Sequence, residues 1–374
     1  MQQNSSQKFS ANSKNAKSVV SGFSLLGYVP LTATKIRTDG DARTDENFLA
    51  DLVENFLTDS LTDNAPLLLA VSGSDILLDS SGCPVLLDSS ALKADELRRL
   101  AGEKQNRADL LCIGRISAGG ADKAVLALTG GWETVCNFGT ENLNLLGPDG
   151  EQQTPREILA ARTEGHWTSA REYAEMVANS HDTALKQWLE LVSAAVALNN
   201  WHSRAGFDPT SGEQTYVAQA GWSRVTASGR ELFPRTDPAV ITVVTARIEG
   251  VEKILLGQAR AWEKKRFSTF AGFVEAGESI ENAVERELWE ECGAKVATIQ
   301  YMGSQPWPFP RSLMLGFRAE ISNPDDVRAD GDEIETVRWF SREELTAAAA
   351  SGEIKLPSRA SISRALIEDF LEKR

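Results

Sequence analysis

The sequence predicts a mixed α+β or α/β protein with a β-rich N-terminal domain and a layered α/β C-terminal domain. Residues 21–197 begin with short apolar runs, such as PLLLAV, DILLD and AVLALTG, separated by turn-forming clusters, which is typical of strands. Residues 237–374 interleave strand-like runs with helical periodicity, which favours helices layered on a sheet. A chain of 374 residues is long enough for each domain to have its own core.

The elements follow from local periodicity. A helix is expected over 181–201, because Leu185, Leu189, Val192 and Val196 recur at spacings of three and four. Residues 207–235 are rich in glycine and small polar residues. In the C-terminal domain we expect strands at AVITVV (from 239), at KILLGQA (from 253), near 313–321 and near 336–340, with helices at about 279–291 and 360–373.

The composition restricts the chemistry. A net charge of −14 disfavours nonspecific adhesion to phosphate backbones or anionic lipid, so a polyanionic ligand needs a local clamp of arginines or metal ions. The three histidines are not paired at helical ligand spacing, so any metal chemistry rests on carboxylates. The four cysteines contain no CxxC pair, which indicates a reducing compartment and argues against a disulfide framework: Cys83, Cys112, Cys136 and Cys292.

The N-terminus predicts a cytoplasmic protein. Residues 1–20 are rich in Ser, Asn, Gln and Lys and lack an apolar run of signal-peptide length, so we expect a flexible tail. No segment approaches the length of a membrane span, and no membrane partner is expected.

The segment 272–294, GFVEAGESIENAVERELWEECGA, places carboxylates on the apolar side of a helix. On a helical wheel, Glu287 and Glu291 lie within about 20° of Ile280, and Glu290 within about 80°. The ordinary interpretation is a surface helix with charge pairs at i and i+4. It fits poorly here, because buried unpaired carboxylates are costly and the helix dipole disfavours anions at the C-terminus. Glutamates at this spacing can bind Mg²⁺ or Mn²⁺.

The same segment resembles the Nudix box, G-x5-E-x7-R-E-U-x-E-E-x-G-U, where U is aliphatic. Only the last aliphatic position is reduced, to Ala294, and such a match arises by chance at roughly 10⁻⁹ per starting position. The resemblance implies an α/β/α sandwich that hydrolyses a nucleoside diphosphate linked to another group. The matching residues are Gly272, Glu278, Arg286, Glu287, Leu288, Glu290, Glu291 and Gly293.

The resemblance also implies roles for individual residues. Arg286 would orient the glutamates, and Glu278 would support the loop before the helix. A further acid comes from a later loop, where Glu333 is our choice and Asp332 and Glu335 are alternatives. The site would hold two or three Mg²⁺ or Mn²⁺ ions, which activate water and neutralise the pyrophosphate. The expected metal ligands are Glu287, Glu290, Glu291, Glu333 and Ala271.

The stretch SQPWPFPRS, Ser304–Ser312, combines stiff prolines with two aromatics. A polyproline ligand for an SH3-like partner is one interpretation. Its place between two strands instead favours a preordered platform on which Trp307 and Phe309 stack bases, although Trp307 as a buried strut remains open.

This stretch resembles the SQPWPFPxS signature of the NADH pyrophosphatases, a Nudix subfamily. The resemblance implies a homodimer that splits NADH or NAD⁺ into NMN(H) and AMP, or that removes an NAD cap from RNA by the same chemistry. Hydrolysis of other nucleoside diphosphate derivatives is a further alternative. Plain core packing remains open for Phe233 and Phe273. The expected substrate-binding residues are Gln305, Pro306, Trp307, Pro308, Phe309, Pro310, Arg311, Ser312, Phe233, Phe273, Arg171 and Ser363.

Residues 198–236 depart from the subfamily, which carries a four-cysteine zinc ribbon there. Asp208, Ser211, Val225 and Ser228 stand at the cysteine positions, so we expect a ribbon-like segment without structural zinc. The Nudix box is untouched by this loss. A nucleotide sensor without catalysis is a weaker alternative, because a sensor does not need the water-activating glutamates and no helix-turn-helix output module is evident.

Overall fold

A computed structural model describes residues 20–23, 26, 37–58, 65–102, 105–118, 120–137, 153–180 and 182–372. The predicted tail, 1–20, lies outside these residues except for Val20. The helices are α1 (Phe48–Thr58), α2 (Ala94–Gly102), α3 (Trp132–Val135), α4 (Pro155–Arg162), α5 (Ala170–Asn179), α6 (Thr183–His202), α7 (Ile280–Cys292), α8 (Arg342–Ala350) and α9 (Ile362–Glu372).

The strands form an N-terminal sheet, a small central sheet and a C-terminal sheet. They are β1 (Val20–Phe23), β2 (Leu67–Ser72), β3 (Asp75–Leu78), β4 (Leu110–Ala118), β5 (Ala121–Leu128), β6 (His166–Ser169), β7 (Thr215–Ala218), β8 (Ser223–Thr226), β9 (Glu231–Leu232), β10 (Asp237–Ile248), β11 (Val251–Ala259), β12 (Phe270–Phe273), β13 (Val296–Trp307), β14 (Ser312–Ile321) and β15 (Ile334–Phe340).

The N-terminal sheet has the strand order β4–β5–β2–β3–β6. Alternate residues of β2 face opposite sides, as the pleat of a strand requires. Leu69 and Val71 pack with residues of α5 and α6, whereas Leu68 and Ala70 pack with residues of α1 and α2. The predicted β-rich N-terminal domain is confirmed, and helices cover both faces of its sheet.

The C-terminal sheet has the order β1–β13–β14–β10–β11–β15, with β12 beside β10. On β10, Val240 and Val244 face α7, whereas Ile241 and Val243 face α8 and α9. Both sides of the run AVITVV are therefore buried, which explains why it is continuously apolar. The predicted α/β/α sandwich is confirmed.

The first described strand does not follow the predicted domain boundary. β1 pairs in parallel with β13, with Val20 opposite Ile299 and Phe23 opposite Tyr301, and the Leu26 N–H donates to the Met302 carbonyl at 2.8 Å. These residues, which the sequence assigns to the N-terminal domain from residue 21, extend the C-terminal sheet instead. An edge strand can pair with any open edge, so local sequence does not specify its partner.

The ribbon-like segment is an antiparallel sheet, β7–β8–β9. Of the four residues at the expected cysteine positions, Asp208, Ser211 and Ser228 make side-chain hydrogen bonds, whereas Val225 is apolar and lies on β8. Asp208 accepts from the Ser211 hydroxyl at 3.0 Å and forms an ion pair with Arg230 at 3.4 Å. In the opposite loop, Ser228 donates to Glu213 at 2.8 Å. Polar side chains thus connect the turns of this segment by hydrogen bonds.

No helix in the described part of the chain is long and apolar enough to cross a membrane.

Candidate active site

The catalytic helix α7 has clear ends. The Ser279 hydroxyl accepts from the Asn282 N–H at 3.2 Å, and Gly293 ends the helix in the left-handed conformation at φ 66°. Ala283, Val284 and Leu288 are fully buried against the sheet, as the helical wheel predicts. Ile280, which the wheel also placed toward the core, is 37% exposed because it occupies the first turn, at the end of the helix.

Arg286 joins the loop before α7 to the glutamates on it. Its guanidinium donates twice to Glu278, from Nε and Nη2 at 2.9 Å each, and to the Phe273 carbonyl at 2.9 Å. Nη1 donates to Glu287 at 2.8 Å and to the exposed Glu290 at 3.3 Å. The hydrogen bonds with Glu278 raise the pKa of Arg286, and those bonds lower the pKa of Glu278. The Glu278 side chain is mostly buried in this pair.

Gly272 is required by the position of Glu287. A Cβ atom at residue 272 would lie 1.9 Å from the carboxyl carbon of Glu287, so any side chain there would displace this glutamate. The first glycine of the motif therefore lets strand β12 approach the carboxylates of α7 closely.

Glu291 is the least satisfied acid of the site. It is only 7% exposed, and its Oε2 atom has no hydrogen-bond partner among the residues that the structure describes. Burial first, and then the charges of Glu287, Glu333 and Asp330, raise the pKa of Glu291 to about 8, against a smaller opposing effect of a hydrogen bond with the Ala271 backbone. A buried carboxylate surrounded by carboxylates is costly, and a bound cation would relieve both problems.

The loop before β15 supplies the later acids. Among the three residues considered from sequence, Glu333 is the one whose charge acts on Glu291, whereas Glu335 accepts from Gln258 at 3.0 Å. Asp330 also acts on Glu291, and its N–H donates to the Glu291 carbonyl at 3.2 Å. The sequence analysis missed Asp330, although it lies in the same acidic loop.

The residues present fit a hard divalent cation. Within the described ranges no three His, Cys, Asp or Glu side chains are already arranged around a common point that could hold a metal ion. The orphaned Oε2 of Glu291 and the acids crowded around it nevertheless offer the all-oxygen donor set that Mg²⁺ and Mn²⁺ prefer.

The proline loop lies between the two domains. Trp307 and Phe309 make an edge-to-face contact at 5.2 Å and pack against the N-terminal core. The Arg171 guanidinium of α5 lies 5.3 Å from the Trp307 ring centre, and the Asn200 amide of α6 donates to the Pro308 carbonyl at 3.3 Å. The N-terminal domain therefore supports the loop, and Trp307 is in part a strut between domains.

A cavity of about 720 Å³ opens beside this loop, between α6, the ribbon and the start of β10. Its wall is largely apolar and aromatic, and Arg311 at its edge is held by Asp237 at 2.8 Å. Seven of the predicted substrate-binding residues line it: Phe233, Pro306, Trp307, Pro308, Pro310, Arg311 and Ser312.

Two other residues expected to bind substrate, Gln305 and Ser363, are buried and do not line this cavity. Gln305 is fully buried, and its amide donates to the Ala360 carbonyl and accepts from the Ile362 N–H, each at 2.8 Å. Ser363 is buried, and its hydroxyl is 2.8 Å from the hydroxyls of Ser268 and Thr269. Both side chains anchor the start of α9 and are closed to a ligand.

Phe233 and Phe273 are 60% and 58% exposed, so the core-packing alternative does not hold for either ring. Phe273 lies at the end of β12, and its backbone carbonyl accepts from Arg286, which also contacts Glu287 and Glu290. Exposed aromatic rings beside a polar site are suited to stacking on a flat ligand.

The fold and the glutamate cluster are similar to those of a Nudix domain, and comparison with known proteins agrees. Residues 236–359 match the family described as NUDIX domain. The chain is 47% identical over 191 residues to "NAD-capped RNA hydrolase NudC" of Mycobacterium bovis (strain BCG / Pasteur 1173P2) and of Mycobacterium tuberculosis (strain ATCC 25618 / H37Rv). It is 38% identical over 194 residues to "NAD-capped RNA hydrolase NUDT12" of Homo sapiens.

The alignments cover only part of this chain and only part of each relative. Each alignment covers 48% of this chain, and it covers 60% of the two NudC proteins and 41% of NUDT12.

Proposed function

We propose that this protein hydrolyses the pyrophosphate bond of NADH and NAD⁺, giving NMN(H) and AMP, with Mg²⁺ or Mn²⁺. The observation that carries the proposal is the buried, unsatisfied carboxylate of Glu291 within an intact glutamate motif. A structural glutamate would be paired, whereas one that holds a cation needs to keep an oxygen free. The adjacent cavity, with its aromatic wall, supports a dinucleotide as the substrate.

The chain's residues have distinct roles in this proposal. Glu287, Glu290, Glu291, Glu333 and the Ala271 carbonyl hold the ions. When bound, the ions neutralise the pyrophosphate and lower the pKa of the attacking water. Arg286 and Glu278 keep the glutamates in position. Phe233, Phe273 and the proline loop from Pro306 to Ser312 orient the dinucleotide.

Removal of a 5′ NAD cap from RNA is the second candidate function. It breaks the same bond, and it is supported by the names of the relatives that about half of the chain resembles. We further propose a homodimer, to which the exposed Phe233 would contribute, and a cytoplasmic location, which fits four free cysteines.

The test is incubation of the purified chain with NADH or NAD⁺ and either ion, followed by product identification. NMN(H) and AMP in equal amounts are expected, and the same assay with a 5′ NAD-capped RNA should release NMN and a 5′-monophosphate RNA. Intact NADH, NAD⁺ and capped RNA with both ions would refute the proposal.

A further inference from the structure

A second concave surface adjoins the carboxylates, on the side away from the proline loop. This groove of about 490 Å³ lies between the C-terminal end of α7 and the loop 323–330. Backbone contacts fix its shape, because the N–H groups of Arg328 and Asp330 donate to the carbonyls of Cys292 and Glu291 at 3.1 and 3.2 Å. The Asn323 amide donates to the Gly293 carbonyl at 3.1 Å. Apart from Glu290, the residues that line this groove have no role in the proposed dinucleotide hydrolysis.

The groove presents the groups that bind single-stranded nucleic acid. Trp289, on the wall, is 55% exposed although it is a large apolar side chain. The Lys295 ammonium lies 6.0 Å from the Trp289 ring centre, and the Arg328 guanidinium is on the same wall. Neither cation is in an ion pair with any residue that the structure describes. An exposed aromatic face for a base, flanked by unpaired cations for phosphates, is the usual arrangement for such strands.

The groove and the cavity lie at opposite ends of the same strand. Ser312, at the start of β14, lines the cavity, whereas Asn323, just past its end at Ile321, lines the groove. Ten residues of strand span roughly 30 Å. The carboxylates lie between, because Ala271, which hydrogen-bonds to Glu291, pairs with Ile241, and Ile241 pairs with Gly316 in the middle of β14.

We propose that this groove binds the ribonucleotide chain that continues from the adenosine half of an NAD-capped RNA. The inference rests on the proposed function, since it assumes that the pyrophosphate lies at the carboxylates and the nicotinamide half at the cavity. The RNA must then leave the site on the side of the groove. There Trp289 stacks a base, and Lys295 and Arg328 contact phosphates. Three acids also line the groove. Glu290 is paired with Arg286 at 3.3 Å, and the Asp330 carboxylate accepts from two backbone N–H groups, so Asp326 is the acid that faces the two cations most directly.

The test compares two substrates of the same full-length enzyme. Trp289→Ala should lower kcat/KM for a short NAD-capped RNA by roughly ten- to a hundredfold and leave NADH hydrolysis within about twofold. The side chain is exposed and alanine favours helix, so the variant should keep the wild-type melting temperature. Trp289→Phe, which keeps a stacking face, should restore most of the activity on RNA.

The salt dependence of activity tests the roles of Lys295 and Arg328. Lys295→Ala with Arg328→Ala should flatten the plot of log kcat/KM for capped RNA against log salt by about 0.7 for each phosphate that is no longer neutralised. The matched control is Lys123→Ala on β5, which removes a charge from the N-terminal domain and should leave the slope unchanged.

The outcomes separate the two proposals. If the wild type cleaves neither NADH nor capped RNA, the proposed function itself fails. If it cleaves NADH but not capped RNA, the groove has no RNA to bind and the inference is overturned alone. A parallel loss of kcat/KM on both substrates in Trp289→Ala would mean that the groove binds the adenosine of the dinucleotide. An unchanged kcat/KM on both substrates would mean that the RNA leaves the site by another path. Either result would overturn the inference.

Discussion

Two buried charges in this protein are handled in opposite ways. Arg224, in the ribbon, is fully buried, and all three of its guanidinium nitrogens are hydrogen-bonded. Nε donates to the Thr215 hydroxyl at 2.7 Å, Nη1 to His202 Nδ1 at 3.0 Å, and Nη2 to the carbonyls of Asn106 and Thr215 at 2.6 and 2.9 Å. Glu291, in the candidate active site, is buried almost as deeply, yet one of its oxygens has no hydrogen-bond partner in the described part of the chain and its acidic neighbours would carry the same charge.

This contrast shows how a structural charge can be told from a functional one. Neither Arg224 nor Glu291 has an oppositely charged partner in ion-pair contact within the described ranges. Neutral oxygen and nitrogen acceptors surround Arg224, so its desolvation is offset inside the chain and no ligand is required. The desolvation of Glu291 is not offset, so the folded chain favours binding of a cation there. The ribbon is thus stabilised by hydrogen bonds within the chain, whereas the candidate active site lacks a partner for the Glu291 carboxyl group.

Among the predicted variants, removal of the Glu291 carboxyl group should have the largest effect on activity. Glu291→Gln should lower kcat by about 10³-fold or more, because the ions and the water lose an anionic partner. The melting temperature should stay the same or rise, since a neutral amide removes repulsion from Glu287, Glu333 and Asp330. Steady-state kinetics on NADH beside calorimetry tests both parts. Near-wild-type turnover would show that Glu291 is not part of the catalytic cluster.

Removal of the Arg224 guanidinium should lower stability but leave activity unchanged. Arg224→Met should lower the free energy of unfolding by about 3 kcal/mol, because Thr215, His202 and two carbonyls lose their donor inside the protein. Activity per folded molecule should be unchanged. Chemical denaturation measures the first quantity, and NADH hydrolysis at low denaturant the second.

Arg230→Met is the matched control, because Arg230 is half exposed and its pair with Asp208 should contribute little. An unchanged unfolding curve for Arg224→Met would contradict the structural role, as would a loss of activity without a loss of stability.

His202 makes the ribbon network sensitive to pH. Its Nε2–H donates to the Gly221 carbonyl at 2.7 Å and its Nδ1 accepts from Arg224, so the ring is neutral. Burial first, and then the charge of Arg224, lowers the pKa of His202 from 6.5 to about 4. The unfolded chain therefore binds a proton that the folded chain excludes between these values. The stability from the neutral ring is full above about pH 6.5 and is lost as the pH falls toward 4.

In this pH window, the free energy of unfolding should decrease by up to about 1.4 kcal/mol for each unit by which the pH falls. His202→Gln, which keeps one donor and one acceptor but does not titrate, should show a flatter dependence in this window. Denaturant unfolding of both proteins at several pH values measures the difference, and parallel pH profiles would contradict the assignment.

Zinc removal should have the weakest effect of all. Because hydrogen bonds close the ribbon at the positions of the missing cysteines, the purified protein should contain no stoichiometric zinc. A zinc-selective chelator should leave the melting temperature unchanged. Elemental analysis that found one tightly bound zinc per chain would show that the ribbon is not stabilised by hydrogen bonds alone.

Local sequence was sufficient to predict the elements whose signals are short-range. The helix expected at about 279–291 is observed at Ile280–Cys292, because a capping serine and a terminal glycine mark its ends. The continuous apolar run of β10 and the periodicity of α6 specified buried elements for the same reason. The glutamate spacing brought Glu287 and Glu291 to one side of α7, since 3.6 residues per turn is a property of any helix.

Features that depend on contacts between distant segments could be identified only in the folded structure. The pairing of β1 with β13, the burial of Gln305 against Ala360 and the approach of Asp330 to Glu291 join residues whose local sequence carries no record of the partner. The same is true of the Trp289 groove, which exists because the loop 323–330 is hydrogen-bonded to the end of α7. A residue's type and spacing set its chemistry, but its burial and its neighbours are set by the packing of the whole chain.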